Sequence, residues 1–554
     1  MVYWKCIESA LYKEEKEGDK MKRKLRLMGI LLLVLVMFLA ACSSSESTGN
    51  EDSKNGKSGD ETAEKQTISI VAGSNKNSVA TDTADINKEE WVLKLEEETG
   101  VDLDFRLLQQ ENIREAIGIM FASGDIPDVL HTQQGMLPLD PTMAGSVEAG
   151  VFMPLNDLLE KYGQNLLKEI PQEAWDEVTV DGNIYAIPQY LSNNSRRGVV
   201  VRTDLMEKYG IETPETVDEF IDMLRVFKEN GHDAPFGARS GFAYSQAIFG
   251  AYDVMFGNNM YEKVGDEIVP KFTDVENMTK ALEAWKTMLD EGLVAPDFPS
   301  HGSSERGKNI DAGDTVVFEY NVNSLLSFEE KQQTNIDPER KWDVIPSPVG
   351  PDGKGGNMLY GATLRLNYVN ADISEEKAEA IIKFFDWMVT EEGKTWFSFG
   401  IEGEDYEKDA DGNIIFKEAE TEEEARQAGF RNSWLQLVGD LAIDEVKTAQ
   451  LPNGQKVFDA MELVSKEGRE GISFVKPLEA YSINPDITPG FDTAPKLIED
   501  AMIQMIYGKM PISDYPKVIE DWKAKGGAEV IKEATDYWNK QENIFRVGPD
   551  ANVD

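Results

Sequence analysis

Paired carboxylates are the one catalytic device for which this sequence holds ample material. Glycosidic hydrolysis needs two acids about 5 to 10 Å apart across a cleft, one of them with a raised pKa. With 101 Asp and Glu against 56 Lys and Arg, a net charge of −45, such a pair arises readily by chance. Most of these acids are therefore read as solvated surface. Other chemistries are short of groups. The three histidines, His131, His232 and His301, have no HExxH, GxSxG or Walker pattern around them. Both cysteines, Cys6 and Cys42, precede anything that reads as folded, which excludes disulfides, thiolate metal sites and cysteine nucleophiles from the folded part. Asp409-Ala410-Asp411-Gly412-Asn413 superficially resembles a calcium loop, but its Gly comes two positions too early for EF-hand spacing. A β-turn is the better reading, and no metal or cofactor is expected. Nucleic acid is a poor partner for so acidic a surface.

Cys42 carries the covalent chemistry. Lys22, Arg23, Lys24 and Arg26 form a basic stretch, and Leu27 to Ala41 is an apolar run of about fifteen residues, short of the roughly 20 needed to span a bilayer. That is a signal peptide. Leu39-Ala40-Ala41-Cys42 followed by serines resembles a bacterial lipobox, which implies cleavage before Cys42 and diacylglycerol on its sulfur; the alternative is an uncleaved anchor or an unrelated cysteine. Residues 1–20 then read as an upstream extension, 21–41 as the signal peptide, and 42–66, rich in Ser, Gly, Asp, Glu and Lys, as a flexible tether. Cleavage leaves 48 basic against 96 acidic residues, about −48. The remaining chain is too long for one core and sufficient for two lobes of about 200 to 250 residues each.

The positioning elements follow from periodicity. Thr67 to Ala72 is β-rich, Lys88 to Thr99 an amphipathic helix stopped by Gly100, and Val101 to Arg106 an alternating strand. A helix near Asn112 to Ala122 leads to the run Ser123 to Leu130, and this β, α, β, α, β order predicts a mostly parallel sheet. Asp181-Gly182 between β-prone runs marks a hairpin. Gly198 to Arg202 is a buried strand, and Thr213 to Phe220 is a helix start with acids in its first turn. Helix near Asn277 to Gly292, strand Asp314 to Tyr320, extended Lys341 to Pro348, crossing strand Met358 to Leu366 and helix Ser374 to Thr390 follow, with a mainly helical remainder.

Five segments in order carry a family resemblance: the lipobox, SGDIPDVL from Ser123, DGNIYAIP from Asp181, RTDLMEKYGIETPETVDEF from Arg202, and FGIEGEDY from Phe399. Together they resemble the extracellular solute-binding proteins of ABC importers, and within them the lipoprotein A-like subgroup that binds oligosaccharides in Gram-positive bacteria. The resemblance implies an α/β, two-lobe periplasmic-binding-protein-like fold, with a mixed sheet flanked by helices in each lobe, several chain crossings and a helical C-terminal part. It places lobe 1 at 67–190 and about 312–366, and lobe 2 at 191–311 and about 367–554. The implied role is a lipid-anchored monomer on the outer face of the cell membrane that passes a carbohydrate to permease subunits, without catalysis. Some relatives carry a calcium loop after the helix matching Thr216 to Lys228. Here Phe227 to Pro235 is short and lacks the repeated carboxylates.

Sugar binding needs flat aromatic faces and planar polar groups, and open α/β sheets place both beyond the carboxyl ends of their strands. Gln189, Tyr190, Arg196 and Arg197 enter the first crossing. Tyr244 and Tyr252 sit in Gly-rich segments, Tyr320, Asn321 and Asn323 end a strand, and Tyr360 lies near the return crossing. Tyr406 and Trp434 accompany the GIEG segment, whereas Trp285 and Trp387 are assigned to core. A secreted carbohydrate-active enzyme, glycoside hydrolase or lyase, and a cell-surface adhesion or sensor component are the alternatives. The first predicts product formation, the second binding without lobe closure.

Overall fold

A computed structural model describes residues 65–548, apart from 76, 110, 111, 134 and 418. The upstream extension, signal peptide, Cys42 and the tether up to residue 64 lie outside the described residues. Among the described residues, no helix is long and apolar enough to cross a membrane.

Strands β1 (Thr67–Gly73), β2 (Asp102–Leu108) and β3 (Val129–His131) are parallel, with β1 in the middle. Helices Glu90–Thr99 and Ile113–Ser123 connect them. They stop at Gly100 and Gly124, whose φ of 71° and 72° a residue with a Cβ adopts only at a cost. A hairpin of β4 (Thr179–Val180) and β5 (Asn183–Ile184) turns through Asp181 and Gly182, both at positive φ, as a two-residue turn requires. Then come β6 (Ala186–Tyr190), β7 (Arg197–Arg202), β8 (Tyr261–Val264), β9 (Glu267–Pro270), β10 (Val317–Asn321), β11 (Trp342–Ile345) and β12 (Thr363–Val369). The last strands are β13 (Tyr406–Lys408), β14 (Ile414–Phe416), β15 (Gly471–Phe474) and β16 (Ile544–Val547).

Two sheets organise two lobes. The first has the order β2-β1-β3-β12-β6, with β12 antiparallel to both neighbours. The second has the order β10-β7-β11, all antiparallel. β7 is buried along its whole length, and its alternation sends Val199 and Val201 into one core and Val200 into another. The first lobe's core gathers Ile68 to Tyr190 and then Ala362 to Val438. The second lobe's cores gather Leu191 to Tyr360 and then Ala442 to Trp538, with the partly buried Ile544 packed against them. The chain therefore changes lobe near 191–196, near 360–362 and near 439–441.

This corrects the boundaries expected from sequence. Residues 317–321 pair with β7 in the second lobe, because an apolar strand such as Val316 to Phe318 reads alike whichever sheet receives it. The strand that returns to the first lobe is β12. Helices Glu375–Met388 and Glu391–Phe399 bury Ile381, Phe385 and Phe397 in the first core, so the stretch from 367 to about 438 belongs there too. The C-terminal part is mainly helical, as expected, and its two strands β15 and β16 join the hairpin β8-β9 in a four-stranded sheet, order β16-β15-β8-β9. Asp409 to Asn413 forms the turn of the β13-β14 hairpin, with Asp409 accepting from the backbone N–H groups of Asp411 and Asn413.

Candidate functional site

The second lobe sends several strand ends toward the junction. Backbone at Phe236 runs parallel to β10, bridging to Val317, so Arg239 and Tyr244 follow it off the same end as Tyr320 and Asn321. β7 begins there with Arg197, directly after the first crossing. From the first lobe, β12 places Arg365 opposite Gln189 on β6, and Arg365 Nη1 donates to Gln189 Oε1 at 3.0 Å.

Guanidiniums converge on two tyrosine rings. The Cζ atoms of Arg197, Arg239 and Arg306 lie 3.8, 5.1 and 5.4 Å from the Tyr244 ring centre. Arg197 and Arg196 lie 5.2 and 6.0 Å from the centre of Tyr360, which packs on Phe491 with centroids 5.3 Å apart. Some donors are already engaged. Arg197 Nη2 donates to Asp492 Oδ2 at 2.8 Å, and Arg306 Nη1 to the Glu319 carbonyl at 3.1 Å. Others are not: among the described residues, Arg196 Nε, Arg197 Nε and Nη1, and Arg239 Nε are buried without a hydrogen-bond partner. The acceptors Gln246 Oε1 and Asn321 Oδ1 and the Tyr360 hydroxyl share that condition.

The electrostatics follow from crowding like charges in a dry place. Burial, with the Arg239 charge beside it, pushes Arg306 down to about 10. Burial lowers Arg196, and burial followed by repulsion from Arg196 lowers Arg365. For Arg197 burial also pulls down, but Tyr360, Tyr244 and Asp492 outweigh it and hold the guanidinium firmly charged. Of the carboxylates nearby, Asp492 is engaged by Arg197, while Glu319 Oε2 is buried without a hydrogen-bond partner among the described residues. Glu319 is fully buried and accepts from the Ala247 N–H at 2.6 Å. Asp440 accepts from the Ser192 and Ala442 N–H groups at 2.9 and 2.8 Å. Burial raises the pKa of both. The cluster offers planar donors and aromatic walls, the equipment for holding a ligand rich in oxygen acceptors.

A cleft of about 1780 Å³ runs between the lobes along the crossings, lined by Leu191 to Asn194, Tyr360 to Ala362, and Gly439 to Leu441. Tyr360 belongs both to its wall and to the arginine cluster, whereas Arg196, Arg197, Arg239 and Arg306 are not part of its lining. We centre the site on the cluster, where unpaired donors and charge concentrate, with Tyr360 joining it to the cleft.

Of the residues singled out in the sequence, Gln189, Arg196, Arg197, Tyr244, Tyr320, Asn321 and Tyr360 come together here. Asn323 lines the cleft. Tyr190 also borders it, but its ring is buried in the first lobe's core. Three candidates lie elsewhere. Trp434 is core: it stacks on Phe430 at 5.2 Å and donates Nε1–H to the Gly73 carbonyl at 3.1 Å, which uses up its polar atom. Tyr406 packs on Phe399 beside the β13-β14 hairpin, and Tyr252 lies against the second lobe's helical core. Arg239, Arg306, Arg365, Gln246, Phe491 and Asp492 went unrecognised. Arg239 could have been found as a basic residue in so acidic a chain, but Arg306 lies within a helix and Arg365 within β12, where nothing local marks them, and Asp492 comes from a loop 295 residues along the chain from Arg197.

Comparison with known proteins gives the family. The profile of the bacterial extracellular solute-binding protein family matches residues 72–395. The polygalacturonan/rhamnogalacturonan-binding protein YtcQ of Bacillus subtilis is 23% identical over 519 residues, 91% of this chain and 97% of that one. Lipoprotein LipO of the same organism is 26% identical over 530 residues, 93% and 98% respectively. The structure of the substrate-binding protein FusA of Streptococcus pneumoniae in complex with kestose superposes with a TM-score of 0.57, covering 86% of this chain and 99% of FusA at 17% identity. The two-lobe architecture and the profile together place the chain in the bacterial extracellular solute-binding protein family, whose members serve ABC importers.

Proposed function

We propose that this protein captures an oligosaccharide between its lobes and delivers it to the permease of an ABC importer. The observation that carries the reading is the arginine and tyrosine cluster, to which β12 of the first lobe and β7, β10 and the 239–246 segment of the second all contribute. A ligand touching both sides stabilises the closed arrangement, because only there does it make all its contacts. The YtcQ and FusA names speak for a saccharide, and the carboxylates at the cluster, tied to Arg197 or to backbone N–H groups, speak against a catalytic pair. The lipobox and the likeness to LipO support attachment of diacylglycerol to Cys42 and residence on the outer face of the membrane.

The test is a thermal-shift screen over neutral and acidic saccharides, with scattering on each hit and recovery of the sugar. The reading expects a stoichiometric rise in melting temperature, a smaller radius of gyration and intact ligand. Cleaved product would establish an enzyme, and binding at unchanged dimensions would establish an adhesion or sensor role.

A further inference from the structure

Helix Gly454–Ser465 turns one face to the cleft. Spacings of three and four residues put Phe458, Glu462 and Ser465 on that face, while Ala460 and Val464 point the other way into the second lobe's core. Phe458 is half-buried, belongs to none of the three cores and has no ring contact among the described residues. A single half-exposed ring means little by itself. What surrounds this one gives it meaning, because unpaired carboxamides converge on the same wall. Asn193 Nδ2 donates to the Met461 carbonyl at 3.1 Å, which pins the first crossing to this helix less than one turn beyond Phe458. Next to it, Asn194 lines the cleft; its carbonyl accepts from the Tyr360 N–H at 3.0 Å, while its side-chain amide makes no hydrogen bond among the described residues. The Val322–Ser324 turn packs on the helix and brings Asn323 into the lining, with Nδ2 equally unpaired among the described residues. From the first lobe comes Gln436. Its carbonyl accepts from Gln189 Nε2 at 2.7 Å, which fixes the backbone, and its side-chain amide is unpaired in the same sense. A free carboxamide offers donor and acceptor in one plane, which suits two adjacent hydroxyls, and an aromatic face suits the C–H side of the ring that bears them.

Resting on the oligosaccharide reading above, we infer that Phe458 is a stacking platform for one sugar ring in the cleft, with Asn194 and Asn323 reading that ring's hydroxyls from the second-lobe wall and Gln436 from the first lobe. This subsite recognises shape and hydroxyls and not charge, so it accepts a unit of the saccharide whatever its neighbours carry. Tyr360, bonded through its backbone to Asn194, continues the wall to the arginine cluster, and the sugar chain runs from Phe458 toward it. Gln436 sits between Leu435 and Leu437 of the first lobe's core, whereas Phe458 belongs to the second lobe. A ring touching both is therefore gripped only while the lobes are closed.

Isothermal titration calorimetry of the purified full chain against maltotriose, kestose, xylotriose, chitotriose and trigalacturonate selects the tightest ligand for the test. Phe458→Ala is expected to weaken that ligand about tenfold and Asn194→Ala about threefold. Both unliganded variants should melt within about 2 °C of the native protein, since neither side chain belongs to a core. Phe458→Trp keeps the flat face and should hold affinity within about threefold of native. No described tryptophan lines the cleft, so the added indole reports on it, and its emission, taken as the difference from the native protein, should shift when the saccharide is added. Native affinity in Phe458→Ala, or an indole at 458 that stays silent while saccharide binds, overturns the platform and leaves the oligosaccharide reading intact. A loss of affinity in Phe458→Ala that accompanies a melting temperature lowered by about 5 °C or more, and that Phe458→Trp does not repair, makes Phe458 a packing residue and overturns the platform as well. Native affinity in Asn194→Ala overturns the part given to that amide. Binding of no saccharide in the panel by the native protein overturns the oligosaccharide reading itself.

Discussion

Glu177 ends helix Gln172–Glu177 and presses its carboxylate against the segment by which the chain re-enters the first lobe. Its Oε1 accepts from the Ala362 N–H at 2.6 Å and its Oε2 from the Thr363 N–H at 3.2 Å and from the Thr363 hydroxyl. A Cβ added to Gly361 would lie 2.8 Å from Oε1, so the contact leaves no room for water between. Three donors favour the ionised form, but burial to 4% exposure outweighs them and pushes the carboxyl up to about 7, from an ordinary 4.5. The folded protein therefore holds this proton more tightly than the unfolded chain. The stability it contributes is full below about pH 4.5 and is lost as pH rises through 7. At 1.36 kcal/mol per pH unit of displacement, the loss amounts to about 3 kcal/mol. Glu177→Gln is neutral at every pH and removes this dependence, at the cost of turning an amide nitrogen toward a donor, about 1 to 3 kcal/mol. The measurement is the difference in unfolding free energy between native protein and Glu177→Gln, from urea denaturation followed by tryptophan fluorescence at half-unit steps from pH 4 to 8.5. All other titrating groups are common to both proteins and cancel. The difference should favour the native protein at pH 4 to 5 and fall by about 3 kcal/mol toward pH 8. A difference that stays level, or that rises with pH, refutes the reasoning and makes Glu177 an ionised staple of the crossing.

Two further outcomes are expected. Arg469, 3% exposed, donates to the carbonyls of Gly250, Ala251 and Lys354 and pairs with Asp352, so Arg469→Met leaves buried carbonyls unsatisfied and lowers unfolding free energy by about 3 to 5 kcal/mol in urea titrations. Cys42→Ala should release the protein into the medium, visible by fractionating cells, and depress uptake while leaving the dissociation constant of the ligand unchanged; weakened binding would contradict a tether that is only a tether.

What the sequence made legible was local. Gly100, Gly124 and Asp181-Gly182 mark their helix ends and hairpin because one backbone conformation is required there, and no distant contact can change that. The helix start within Thr213 to Phe220 was legible for the same reason, and the structure puts its cap at Thr216. What stayed hidden was long-range. The run at β10 is as apolar as a strand returning to the first lobe would be, and its true partner, β7, lies more than a hundred residues earlier. β16 joins β15 across some seventy residues of mostly helical chain, and four residues of Ile544–Val547 carry too short a pattern to identify alone. The site divides the same way. Arg196 and Arg197 stand out beside a predicted crossing, while Arg239 and Arg306 become neighbours only because Phe236 pairs with β10 and the Arg306 side chain reaches the Glu319 carbonyl. Trp434 misled because an indole offers the same flat face to a sugar and to a phenylalanine.

A basic pocket in a chain of net charge −45 looks like a contradiction until distances are set against the screening length. At about 8 Å in physiological salt, surface acids repel an approaching anion only in the last few solvent layers, whereas charges in a dry junction are barely screened. The surface acids and the buried arginines therefore do not cancel, because the first act through screened solvent and the second in the dry junction. The same reasoning gives the arginines a mechanical part. Arg365 belongs to the first lobe's β12 and Arg196 to the crossing into the second, and the two repel. Bringing the lobes together without a ligand raises that repulsion; bringing them together around an acceptor replaces it with two attractive contacts. Under the proposed capture between the lobes, the ligand's preference for the closed form would include relief of that penalty, which is the differential affinity a closure equilibrium needs in order to be moved.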